Sequence, residues 1–66
     1  MNTYPTPSDL KAFRIGADLT QTQAGALVGA ALRTWQAWEG GERPIPSAKW
    51  ELFCLKVIAK NFPNGA

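Results

Sequence analysis

Residues 20–41, TQTQAGALVGAALRTWQAWEGG, contain the strongest local indications of secondary structure in the chain. Thr20 and Gln23 have the spacing of a capping box, in which the threonine hydroxyl and the glutamine amide satisfy each other's backbone N–H groups. Ala24, Leu27 and Val28 then follow at helical spacing. We therefore predict a helix over 20–28 that ends at Gly29, because glycine readily takes the left-handed conformation.

A second short helix is expected from 31 to 39. It carries Trp35 and Trp38 three residues apart, and Gly40 and Gly41 stop it. Two short helices joined by a glycine-containing turn of three or four residues form a helix-turn-helix candidate, whose second helix is the recognition helix.

The rest of the chain adds a helix on each side and no convincing strand. Residues 1–7, with two prolines, read as a flexible extended arm, and Ser8 and Asp9 favour a helix start. One face of a helix over 8–17 follows: Leu10, Phe13, Arg14 and Ala17.

After a proline-containing connector, 43–46, Ser47 is expected to cap a helix over 47–60. Its apolar stripe is Trp50, Phe53, Cys54, Val57 and Ile58. Residues 8–61 form the domain and 62–66 a tail. The sequence leaves open whether the C-terminal part is one helix or two.

Aromatic and aliphatic side chains supply the expected core. Tryptophans also stack on single-stranded bases, but in so short a chain at helical spacing they favour a core role. Cys54 is expected to act as a small buried hydrophobe. The predicted core residues are Phe13, Leu27, Val28, Trp35, Trp38, Trp50, Phe53 and Val57.

Composition restricts the function. The 66 residues fit one small domain with a net charge of +2, no histidine and a single cysteine. This excludes an internal disulfide, argues against a zinc site and removes the commonest general base. No reaction centre can be named, so we expect neither an enzyme nor a cofactor. Without an export signal or a membrane-length apolar stretch, we expect a cytoplasmic protein with no membrane partner and no small-molecule substrate.

The predicted recognition helix separates two sides. At about 100° per residue, Trp35 and Trp38 lie on one side of the helix. The other side holds Leu32, Arg33, Gln36 and Ala37. Such a face fits the major groove, where arginine pairs with guanine, glutamine with adenine, and apolar side chains contact a thymine methyl. The simpler interpretation is that Arg33 and Gln36 are ordinary solvated surface residues.

Phosphate contacts are expected beside this face. The start of the helix at Thr20 presents free N–H groups, and the Gln21 side chain adds a donor. Arg43, in the loop after the recognition helix, can reach the same DNA backbone, and Lys49 is a weaker candidate. The alternative is simple capping by Thr20 and solvated cations.

Residues 20–41 resemble the helix-turn-helix of phage Cro and repressor proteins. The matching features are the Thr20-Gln21 start, Gly25, the turn at Gly29, the two tryptophans, and the ending Glu39-x-Gly41. The resemblance extends over roughly 10–58 and implies an all-α, four- to five-helix, lambda-repressor-like domain. The length is Cro-like, although small antitoxins share the module.

The resemblance also assigns roles. It makes Gln21 a phosphate clamp and pairs Arg14 with Glu39 in an ion pair that fixes the angle of the recognition helix. The base-reading positions it implies are Leu32, Arg33, Gln36 and Ala37.

This sequence departs from the pattern at Ala30-Ala31, at the two tryptophans, where relatives often carry Ile, Val or Leu, and at Leu32, where a polar base-reading residue is usual. Ala30-Ala31 stands where a capping Ser or Thr is usual. Gly25 lies within a helix, which we attribute to close approach of the recognition helix.

Two functions follow. The first is a transcriptional repressor that binds a pseudo-palindromic operator in double-stranded DNA, as a weak homodimer formed or strengthened on DNA, with recognition helices about 34 Å apart. The alternative is a protein-interaction module, antitoxin- or adaptor-like. Leu52, Leu55 and Ala59 form either a dimer face or a partly exposed surface.

Overall fold

The computed structural model describes residues 5–61 as four α-helices. They are α1 (Pro7–Gly16), α2 (Gln21–Leu27), α3 (Leu32–Glu39) and α4 (Ser47–Asn61). No strand occurs in this range. The all-α prediction is therefore confirmed, and α4 is one continuous helix. Residues 1–4 of the predicted arm and the predicted tail, 62–66, lie outside the described residues.

Helix α1 begins earlier than the sequence analysis predicted. Thr6 is its N-cap: the threonine hydroxyl accepts from the Asp9 N–H at 3.0 Å, and the Asp9 carboxylate accepts from the Thr6 N–H at 3.2 Å. Pro7 suits the first helical position because its φ is fixed and it has no N–H to leave unpaired. The assignment of Thr6 and Pro7 to an arm is therefore wrong. The helix ends at Gly16, and Asp18 takes a left-handed φ of 61°.

The turn between α2 and α3 is the predicted one. Thr20 and Gln23 form the reciprocal capping box, and Gly29 has a φ of 70°. A Cβ at Gly25 would lie 2.6 Å from the Ala30 carbonyl oxygen. The close neighbour of Gly25 is thus the turn before α3 and not α3 itself, which corrects the expectation. Ala31 caps α3 with no side-chain hydrogen bond.

The core joins all four helices and the α3–α4 connector. Its buried members include both predicted α3 tryptophans, Phe53 and Val57. Ile45, between two prolines of the connector, is also buried, which the sequence analysis missed. The buried set is Leu10, Ala17, Ala24, Val28, Trp35, Trp38, Ile45, Phe53 and Val57.

Three predicted core residues lie at its edge. Leu27 and Trp50 are half-buried against the cluster. Phe13 is 37% exposed and so is not a core residue. Its ring packs on the outer side of Trp50 and Phe53, with ring centroids 5.4 and 5.7 Å from theirs. Phe13 of α1 is therefore the partly exposed outer member of the group of packed aromatic rings.

The apolar stripe of α4 is narrower than predicted. Cys54 is half-buried and Ile58 is 53% exposed, so neither belongs to the buried core. Leu52 packs against the core, whereas Leu55 and Ala59 are exposed. None of the described helices has the length and apolar character needed to cross a membrane.

Candidate nucleic-acid interface

Helix α3 has one buried side and one exposed side. Trp35 and Trp38 are buried and lie edge to face, with centroids 5.6 Å apart. Leu32, Arg33 and Gln36 are exposed. The structure thus places the two indoles inward and the guanidinium and amide side chains outward.

Ala37, the fourth predicted base-reading residue, is half-buried. The loop after α3 folds over it, because the backbone N–H groups of Glu42 and Arg43 both donate to the Ala37 carbonyl, at 2.9 and 3.3 Å. This fold-back brings Arg43 to the exposed side of α3. Ala37 therefore lies at the edge of that side rather than at its centre.

Glu39, the last residue of α3, pairs with Arg14 of α1. Arg14 Nε donates to Glu39 Oε2 at 2.6 Å and Nη2 donates to Oε1 at 3.2 Å. The side chains are only 12% and 5% exposed, respectively. A third donor of Arg14, Nη1, reaches the Leu19 carbonyl at 2.8 Å. The bidentate geometry ties the end of α3 to α1 and to the segment that leads into α2.

Glu39 accepts two further hydrogen bonds. They come from the Trp35 indole N–H and from Gln21 Nε2, the latter at 3.2 Å. Burial raises the pKa of the Glu39 carboxyl, but the hydrogen bonds from Arg14, Trp35 and Gln21, together with the Arg14 charge, outweigh it. The pKa therefore lies below its ordinary value, and the group is a carboxylate at neutral pH.

Sequence reasoning missed both of these contacts. The i, i+4 spacing of Trp35 and Glu39 was an available signal, since side chains four apart meet on a helix.

Gln21, the first residue of α2, lies between Glu39 and Gln36. Its Nε2 faces Glu39, and its Oε1 accepts from Gln36 Nε2 at 3.4 Å. A glutamine nitrogen carries two N–H groups, so one remains after the bond to Glu39. The predicted phosphate clamp is therefore also a link between α2 and the exposed side of α3.

Thr20 precedes Gln21 and uses its hydroxyl oxygen as an acceptor for the Gln23 N–H at 3.1 Å. The hydroxyl proton is not used in that bond and can still be donated.

Arg33 and Arg43 line a shallow cleft of about 190 Å³ with Thr34, Ala37 and Glu42. Among residues 5–61, no carboxylate lies within salt-bridge distance of either guanidinium. The loop after α3 and α3 itself thus share a surface that carries two unneutralised arginines. Glu42 is the acidic group of the same cleft.

Lys49 does not belong to this surface. Its ammonium donates to the Val28 carbonyl at 2.7 Å in a partly buried contact. The lysine therefore satisfies an end carbonyl of α2, where the helix dipole also favours a cation. This contact replaces the weaker phosphate role that the sequence analysis suggested.

Residues 5–61 offer little for metal binding or for nucleophilic chemistry. No group of three or more histidine, cysteine or acidic residues within 5–61 could hold a metal ion. Burial and then the nearby charge of Glu51 raise the pKa of the Cys54 thiol. Cys54 is therefore mostly protonated at neutral pH and a poor nucleophile.

Comparison with known proteins gives one partial similarity. A 54-residue stretch, 82% of this chain, is 35% identical to the type II methyltransferase M.MspI of Moraxella sp. The chain spans only 13% of the length of that methyltransferase. No protein-family model matches the chain.

Proposed function

We propose that this protein is a sequence-specific, double-stranded DNA-binding transcriptional regulator of the Cro and repressor type. The observation that carries the proposal is the two-sided α3, with buried Trp35 and Trp38 and an outward Arg33 and Gln36. A helix of this kind can lie in the major groove with its exposed side chains against base edges.

Each exposed position has a chemical role in the proposal. Arg33 offers a planar fork to guanine O6 and N7, and Gln36 offers an acceptor and a donor to adenine N6 and N7. Leu32, which is exposed, contacts a thymine methyl. Ala37 makes a similar contact at the edge, limited by its partial cover.

Phosphate contacts hold the helix in register. Arg43 reaches the backbone beside Arg33, and the free N–H of Gln21 and the Thr20 hydroxyl donate at the other end of α3. The net charge of +2 implies few such contacts. Specific affinity therefore depends on the groove-facing side chains and on dimerisation.

We propose a weak homodimer, formed or strengthened on a pseudo-palindromic operator, that represses by excluding RNA polymerase in the cytoplasm. Leu55 and Ile58 of α4, 65% and 53% exposed, support a protein-contacting face. The same two side chains support the second candidate, a protein-interaction module of antitoxin or adaptor type. DNA binding is favoured because the unneutralised arginines lie on α3 and its loop and not on α4.

Catalysis is not part of the proposal. The stretch shared with the methyltransferase is only 13% of that protein. We therefore assign DNA binding, and not methyl transfer, to this chain.

Selection of bound fragments from random duplex DNA tests the proposed function. Wild-type protein should enrich a symmetric motif. Arg33→Ala should weaken binding to that motif by about 1–3 kcal/mol and relax one base pair of it. Lys56→Ala, which removes an exposed cation of α4, is the matched control and should leave the motif unchanged.

Two outcomes would count against the proposal. Equal losses for Arg33→Ala on the selected motif and on random DNA would make Arg33 a phosphate contact. Failure of the wild-type protein to enrich any duplex at low salt would contradict the regulator function.

A further inference from the structure

We propose that Gln21 is a positioning residue that fixes the amide orientation of Gln36 and thereby makes Gln36 prefer adenine over guanine. The inference rests on the proposed DNA-binding function. It also rests on the hydrogen-bonded series that runs from the buried Glu39 through Gln21 to the exposed Gln36.

The hydrogen-bonded series begins at Glu39, whose side chain acts only as an acceptor. The Glu39 carboxylate, held by two Arg14 nitrogens, can only accept hydrogen bonds. Gln21 must therefore turn its nitrogen, not its oxygen, toward Glu39, and the 3.2 Å contact has that arrangement. Since the two ends of an amide group differ, Gln21 Oε1 is then left to face Gln36.

The orientation of the Gln21 amide in turn determines the orientation of the Gln36 amide. Gln21 Oε1 accepts, so Gln36 presents Nε2 to it, at 3.4 Å. The acceptor Oε1 and one N–H of Gln36 remain for the groove. An acceptor beside a donor is complementary to the adenine N6 amino group and N7.

The reverse orientation would have a different preference. If Gln36 gave its oxygen to Gln21, it would present only N–H donors to the groove. Two donors are complementary to guanine, whose O6 and N7 are both acceptors. The buried carboxylate of Glu39 therefore selects between the two purines at a position that neither it nor its arginine partner touches.

The test compares base preferences of four proteins: wild type, Gln21→Met, Gln36→Met and the double variant. Competitive binding is measured on the selected motif with each of the four bases substituted at every position. Wild type should prefer adenine over guanine at one position of each half-site by about 5- to 150-fold, the range expected for one bidentate pair.

Gln21→Met should reduce that preference to less than about threefold at the same position and leave the other positions unchanged. Gln36→Met should do the same, and the double variant should show no further loss at that position, because the two residues act as a unit. Thr22→Val, a substitution of an exposed side chain in the same turn, should keep the wild-type preference.

The result that overturns the inference is a uniform loss. If Gln21→Met weakens binding equally on all sequences and leaves the adenine preference intact, Gln21 only contacts phosphate. If wild type selects no motif, the proposed function itself fails. Should Gln21→Met not fold, Gln21→Asn supplies the same comparison, because its shorter side chain loses both contacts and remains polar.

Discussion

Replacing Glu39 by glutamine should remove most of the stability of the domain. The carboxylate is 5% exposed and accepts from Arg14, Gln21 and Trp35. Glu39→Gln keeps the shape but leaves the Arg14 charge without its counter-ion and turns an amide N–H toward other donors. Breaking a buried pair by changing one partner costs about 3–5 kcal/mol. The whole domain, at roughly 0.05–0.15 kcal/mol per residue, has about 3–10 kcal/mol to lose.

Urea unfolding followed by tryptophan fluorescence and far-ultraviolet circular dichroism measures the effect. At a slope of about 1 kcal/mol per molar urea for so small a domain, the midpoint should fall by about 3 M or more, and at the upper end no folded baseline remains. Glu51→Gln makes the same charge change at an exposed position of α4 and should shift stability by less than about 0.5 kcal/mol. Equal midpoints for the two variants would refute the view that this ion pair fixes α3 on α1.

Three further predictions concern pH, packing and salt. The pKa of Glu39 is lower in the folded protein than its ordinary value. The contribution of Glu39 to the stability of the domain should therefore be complete above the ordinary glutamate pKa of about 4.3 and be lost as the pH falls through the folded pKa. Urea midpoints measured at a series of acidic pH values will show this dependence. Gly25→Ala should destabilise by about 1–3 kcal/mol in the same assay, because its Cβ would meet the Ala30 carbonyl at 2.6 Å, whereas Gly16→Ala, with open space around its Cβ, should not. Arg43→Ala should weaken binding to all duplexes alike and reduce the salt slope by about 1, and a change of base preference would exclude a phosphate role.

Short-range sequence patterns predicted a helix boundary well where only one residue could serve as the cap. The Thr20–Gln23 box and Gly29 fixed α2 and its turn, because capping and positive φ are set by neighbouring residues. The start of α1 was missed because Thr6 and Ser8 are both residues that cap helices well. The hydrogen bond from the Thr6 backbone N–H to the Asp9 carboxylate makes Thr6 the N-cap. Short-range spacing cannot rank two adequate caps.

Burial depended on how the helices meet. Ile45 stands between prolines with no helical periodicity, yet the connector presses it into the core. Phe13 has the spacing of a core residue, but it lies where α1 and α4 leave the aromatic cluster open. Periodicity gives the side of a helix that packs and not how far the packing extends.

The candidate site was predictable in part. Helical geometry alone separated the tryptophans of α3 from Arg33 and Gln36. The pairing of Arg14 with Glu39 came from the resemblance and not from spacing, since 25 positions separate them. The link from Glu39 through Gln21 to Gln36 joins two helices across a turn, and no one-dimensional pattern carries that information.

A nuclear magnetic resonance titration of the labelled protein with a selected duplex will show whether α3 and the loop after it contact DNA. Backbone and side-chain amide signals should shift at the start of α2, along 32–37 and around Arg43, while α4 signals at Lys56 and Lys60 stay in place. Shifts confined to α4 around Leu55 and Ile58, with Arg33 and Gln36 unaffected, would contradict the account.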